Sequence, residues 1–110
     1  MDDVLYLIGE ESRERDEYGI IRQQISERQI FCKVNSVSRS EFFNAGRNGL
    51  NPDYQFTVFQ GDYQGEMMCR YGDRSYSIYR TYHIPGTDYI ELYVERKGGT
   101  NGKEGNNQQP

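Results

Sequence analysis

With 110 residues, 35% of them hydrophobic, the chain has room for one modest core, which argues against an enzyme carrying its own cofactor domain. Thirteen basic against 17 acidic residues give a net charge of −4, a balance opposed to sequence-independent nucleic-acid binding, which needs a basic surface to displace counterions. Ten Tyr beside five Phe and no Trp suit strands and half-wet interfaces, and the low apolar share predicts that a partner completes some of the surface.

Residues 3–9, Asp-Val-Leu-Tyr-Leu-Ile-Gly, are apolar and partly β-branched, and predict a first strand ending at Gly9. Residues 10–17 then mix five carboxylates with Arg13 and Arg15 and show no apolar period. They read as a solvated loop, and the two arginines oppose a calcium site. From Tyr18 to Val34 alternation returns. Ile21, Gln23 and Ile25 share one parity, and Ile30, Cys32 and Val34 share the next. Ser26-Glu27-Arg28 between them is either a bend in one long strand or a hairpin.

Ser38 followed by Glu41 has capping-box spacing, and Phe42 with Ala45 sits at helical i, i+3. Gly46, Gly49 and Pro52 forbid a long continuation, so one or two helical turns should lead into a flexible loop reaching Pro52. Phe42 and Phe43 are adjacent. A short helix therefore buries one and presents the other, while Gly46 and Gly49 give the backbone freedom to swing.

The second half predicts strand after strand. Tyr54, Phe56 and Val58 alternate, Gly61-Asp62 turns the chain, and Met67, Cys69 and Tyr71 follow. Gly72-Asp73 has the signature of a two-residue hairpin turn. Tyr76 and Ile78 face one way, Tyr79 and Thr81 the other, before a turn at Pro85-Gly86. Ile90, Leu92 and Val94 point inward on the last strand, with Glu91, Tyr93 and Glu95 outward. Six or so short strands at near-regular spacing predict a small barrel or sandwich. Residues 98–110 hold nothing that buries apolar area, which sets a domain at 1–97 and a disordered tail after it.

No residue pattern carries catalysis. His83, the single histidine, has no nucleophile motif near it and reads as structural. Cys32 and Cys69 lack metal-ligand spacing and read as two buried free thiols. The glycines form no phosphate-cradling loop, and Glu91 and Glu95 read as surface charges that discourage stray pairing. No cofactor and no metal are expected. Neither is a membrane partner, since the chain holds no signal-peptide pattern and no long apolar run, so synthesis in the cytosol is the expectation. Arg70-Tyr71, Arg74 with Tyr76, and Tyr79-Arg80-Thr81-Tyr82 interleave basic and aromatic residues. That pattern makes an OB-like single-stranded nucleic-acid module the alternative reading, if Arg70, Arg74 and Arg80 share one exposed face.

The order of motifs adds to this. A Ser-x-Ser-Glu-Phe-Phe-Asn-Ala-Gly segment follows two early strands and leads into Tyr54-Gln55-Phe56-Thr57-Val58. Then come Asp62-Tyr63-Gln64-Gly65-Glu66, the hairpin from Tyr71 to Tyr82, and Ile90-Glu91-Leu92-Tyr93-Val94-Glu95-Arg96. Over roughly residues 1–97 this resembles the head-closure (head–tail joining, or stopper) proteins of long-tailed bacteriophages and prophages. The resemblance implies a mainly β fold, a small antiparallel barrel of six to seven strands with one short helix and a long loop. It also implies a non-enzymatic virion subunit at the head–tail interface, made in the host bacterial cytoplasm. Such subunits form a homo-oligomeric ring below the portal and adaptor proteins, retain packaged double-stranded DNA that later passes through the channel, and dock tail-completion proteins. The family's channel segment corresponds here to Ser38–Asp53, with Ser40, Glu41, Phe42, Phe43, Asn44, Gly46, Asn48, Gly49 and Asn51 as channel-loop or interface residues. The Gly and Asn content of this stretch departs from the family pattern.

Overall fold

Strand alternation sorts the side chains into an inside and an outside before any strand meets another. In the computed structural model, which describes residues 2–15, 17–19 and 21–96, the strands are β1 (Asp3–Arg15), β2 (Ile21–Ser36), β3 (Pro52–Phe59), β4 (Met68–Tyr71), β5 (Arg74–His83) and β6 (Tyr89–Arg96). All pair antiparallel and close into a barrel in the order β1-β2-β3-β6-β5-β4. One helix, α1 (Arg39–Arg47), links β2 to β3.

The barrel is filled from every strand by Leu5 and Leu7, Ile30 and Cys32, Phe56 and Val58, Cys69, Tyr76 and Ile78, and Leu92 and Val94. At about 1.5–3 kcal/mol for each large aliphatic or aromatic side chain removed from water, this one cluster dominates the fold's stability. Tyr54 and Phe56 of β3 meet Tyr71 of β4, their ring centroids 6.0 and 5.3 Å away. Since β3 and β4 stand opposite each other in the strand order, these rings bridge the barrel's diameter. Closure leaves the barrel proper without an unpaired strand edge.

Most expected turns are present. β4 and β5 are joined by Gly72-Asp73 alone, with Tyr71 opposite Arg74. Ile84-Pro85-Gly86-Thr87 closes on a hydrogen bond from Thr87 N–H to Ile84 O, 3.2 Å. Pro85 presets the first turn position and Gly86, at φ 75°, takes the second, a conformation that other residues adopt at a cost.

Two expectations are corrected. The first strand does not end at Gly9, and residues 10–15 are not a loop: β1 continues to Arg15, paired with Ile21 of a β2 that runs unbroken for 16 residues. Ser26-Glu27-Arg28 thus lies inside one long strand. β4 pairs with β1 only at Tyr6–Ile8, and β3 pairs with β2 only from Cys32 onward. The far parts of β1 and β2 therefore leave the barrel as a two-stranded arm, with a register shift between Glu10 and Ser12. Backbone bonds alone build such an arm, so it needs no apolar period, which is why the charged run concealed it. Second, the segment before β3 is not a long loop, because α1 takes nine residues and leaves only residues 48–51 before β3 begins. The expected tail, 98–110, lies outside the described residues.

Candidate docking surface

Ser38 starts α1 as its N-cap, accepting the Glu41 N–H at 3.1 Å. The Glu41 carboxylate does not return to the cap as a capping box would have it. It accepts from Tyr79 Oη at 2.8 Å and from Arg80 Nη2 at 2.6 Å instead. Two neighbouring residues of β5 reach one carboxylate because the register slips between Ile78 and Arg80, leaving Tyr79 as a bulge. Arg80 also lies 4.1 Å over the ring of Tyr93, its partner on β6, and Tyr93 Oη donates to Glu91 Oε1 at 2.6 Å.

The electrostatics follow the bonds. Burial works to raise the Glu41 pKa, but the hydrogen bonds from Arg80 and Tyr79 outweigh it and hold the carboxyl below its usual range. Burial, then the neighbouring carboxylate, pushes Tyr79 well above the ordinary tyrosine range and Tyr93 up to about 12. All three are held in single protonation states at neutral pH, which suits a structural tie.

The C-terminal end of α1 is equally fixed. Leu50 N–H bonds to Ala45 O and Gly49 N–H to Gly46 O, each at 3.0 Å, with Gly49 at φ 80°. This is a Schellman motif, and Ala45, the helix's one buried residue, sits at the position that usually meets the residue after the glycine. Asn48 Nδ2 donates to Asn44 O, and Asn51 N–H donates to Glu95 Oε1 on β6. Gly49 therefore locks the end of the helix, correcting the expectation that it frees the backbone to swing. Gly46 is helical.

The other correction concerns the aromatics. Phe42 is 50% and Phe43 62% exposed, so neither enters the core, and their rings touch edge-on with centroids 6.3 Å apart. Ser40 and Asn44 are exposed beside them. The nine singled-out residues fall on one helix and its exit; Glu41 bonds the barrel through its side chain, and Asn44 and Asn48 line the cleft between the helix and Tyr79 and Arg80. Tyr79, Arg80 and Glu95, which hold the helix in place, were not among them. The Tyr-Arg adjacency was visible in the sequence, but the bulge that aims both at Glu41 was not.

A second feature lies across the barrel. The β1–β2 arm and the chain between a 3₁₀ turn (Gln60–Asp62) and β4 enclose an open groove of about 850 Å³, lined among others by Ile8, Ile25, Met67 and Met68. Ile25 is 66% and Met67 73% exposed. Arg28 Nη2 meets Glu66 Oε2 at 2.6 Å on its wall, and Glu66 O accepts from Tyr63 Oη at 2.6 Å.

Two of the three arginines behind the nucleic-acid alternative are engaged elsewhere. Arg70 forks onto Glu27 at 3.0 and 3.1 Å and lies 4.2 Å over Tyr6, while Arg80 is committed to Glu41. Arg70 stands opposite Ser75, five residues from Arg80 along β5, so the two do not share a patch. His83 Nε2 bonds to Thr87 O at 2.8 Å and braces its hairpin. Cys32 and Cys69 are free and fully buried. Among the described residues no three metal-ligating side chains cluster, and no helix is long and apolar enough to cross a membrane. No protein-family model matches the chain, and no curated protein is similar to it.

Proposed function

We propose that this chain is a structural head–tail connector subunit of a long-tailed bacteriophage or prophage. It joins a ring below the portal and adaptor, helps retain packaged DNA, and offers a docking face to tail-completion proteins. The order of motifs supports this reading from the sequence side. The observation that carries it is the helix: capped at both ends and tied to a closed barrel, it turns Phe42 and Phe43 outward where a monomer gains nothing from them.

Several features of the fold agree with an assembling subunit. A closed barrel offers no strand edge for association, so contacts with other chains fall to the helix and the arm. The acidic net charge lets DNA slide past without being gripped. DNA retention then belongs to the ring as a body, since α1 is capped at both ends and tied to the barrel through Glu41.

Deletion of the gene from its phage tests this. Heads should then package DNA but lose it, remain without tails, and recover both properties when the purified protein is added. Heads that stay full and infective without the protein would overturn the proposal.

A further inference from the structure

Asn48 and Gly49 stand side by side at the exit of α1, both exposed. An asparagine followed by glycine is the dipeptide in which a chain most readily attacks itself. The glycine's backbone nitrogen reaches the side-chain carbonyl carbon because no Cβ crowds the approach. The sequence holds one other such pair, Asn101-Gly102, which lies outside the described residues.

In the folded chain both reacting groups are held. Asn48 Nδ2, the leaving group, donates to Asn44 O at 3.1 Å. The Gly49 N–H, the nucleophile, donates to Gly46 O at 3.0 Å. Asn48 itself sits at ψ 14°. Ring closure needs the Gly49 nitrogen eclipsed with Cβ across the Cα–C bond, and tetrahedral geometry puts that arrangement most of a half-turn from this angle. To reach it the Asn48–Gly49 peptide must rotate, which breaks the Gly49–Gly46 bond and the Leu50–Ala45 bond behind it. That end of the helix is anchored in turn by Asn51 N–H on Glu95 and by Glu41 on Arg80. Local opening therefore has to precede the chemistry.

We infer that Asn48 is a self-modification site of this chain: a deamidating asparagine kept shut by the C-terminal cap of α1 and opened when the helix loosens from the barrel. Water is the only co-reactant. The Gly49 nitrogen bonds to Asn48 Cγ, the Cγ–Nδ2 bond breaks, and Nδ2 leaves as ammonia with the proton that Gly49 gives up. Water then opens the imide on either side. Hydrolysis at Cγ leaves aspartate. Hydrolysis at the backbone carbonyl leaves isoaspartate, whose chain runs through the former side chain.

Both products favour the open end that made them. A carboxylate there opposes the helix dipole and has no N–H to donate to Asn44 O. The extra backbone carbon of isoaspartate also takes Gly49 and Leu50 out of register with Gly46 and Ala45. The reaction is thus a one-way release of α1, and it does not depend on the connector reading.

Peptide mapping of the full chain tests it and separates Asn48 from Asn101. Wild-type protein is incubated in mildly alkaline buffer with and without denaturant, and aspartate and isoaspartate at position 48 are followed over time. Both products should accumulate in denaturant, and the rate in buffer should be lower by about tenfold or more, the factor by which a closed end withholds the site. Glu41→Ala, shown to be folded by circular dichroism, should react several-fold faster than wild type in buffer and equally fast in denaturant. Asn48→Asp should melt below the wild type. No product at position 48 in denaturant would overturn the site, and equal wild-type rates in the two conditions would overturn its guarding by the cap. A folded Glu41→Ala protein reacting at the wild-type rate would overturn the link to the barrel, and unchanged melting of Asn48→Asp would overturn the release. The wild-type comparison needs no variant, so it decides even where Glu41→Ala does not fold.

Discussion

Glu41 of the helix and Arg80 of the fifth strand meet at 2.6 Å, across 39 residues of sequence, and this pair is the tightest polar tie between α1 and the barrel. The helix buries only Ala45, so packing contributes little to its hold. Its position therefore depends on charge-assisted hydrogen bonds to Glu41.

Glu41→Ala should accordingly cost about 1–2 kcal/mol, since the carboxylate is mostly covered but Arg80 remains partly in water. Arg80→Met should cost a similar amount, and the double variant less than the sum. Chemical denaturation of the four proteins reads the coupling; fully additive losses would mean that the pair contributes nothing jointly.

The same pair predicts acid sensitivity with a definite sign. The Glu41 carboxyl is held below the usual range of a glutamate, so its contribution is fully present above that range and is lost as pH falls through the lower folded value. Melts of the wild type should lose more stability below about pH 4 than melts of Glu41→Gln, and the two proteins should run parallel between pH 5 and 7. Parallel behaviour through the whole acid range would discount the tie.

Phe42→Ser with Phe43→Ser should cost no more than about 1–2 kcal/mol, because each ring leaves half or more of its surface in water. Head docking should be lost. A large fall in melting temperature would show instead that these rings pack inside the molecule.

Gly49→Ala forces a side chain into φ 80° at the helix exit. The strain of about 1 kcal/mol should lower the melting temperature by roughly 4–8 °C, though no neighbouring atom obstructs the new methyl group. Gly46→Ala, in the helix interior with open space around it, should be neutral or stabilising.

Burial pushes the Cys32 thiol up to about 11 and the Cys69 thiol to about 12. Native protein at pH 8 should give no reaction with a thiol reagent over the time that denaturant releases both groups. Rapid labelling of either cysteine without denaturant would contradict a closed, packed barrel.

Local sequence determined what local physics governs. Alternation at Tyr54–Val58 and Ile90–Val94 assigned the inward faces, because successive side chains of a strand point to opposite sides of the sheet. Gly72-Asp73 and Pro85-Gly86 placed two turns through backbone preferences that need no neighbour, and Ser38 with Glu41 placed the start of the helix. Tertiary structure alone decided the rest. Residues 10–15 carry no period that marks a strand, and they become one because β2 supplies backbone partners. Adjacent Phe42 and Phe43 suggest one buried and one presented ring in the sequence, and neither enters the core because Ala45 and Glu41 fix the side of the helix that meets the barrel. Gly49 marks flexibility or a locked cap with equal force until the carbonyls of Ala45 and Gly46 are in reach. Which residues stand opposite across the barrel depends on where the chain closes. That is a long-range outcome, set by the filling of one core from six strands rather than by any residue's own preference.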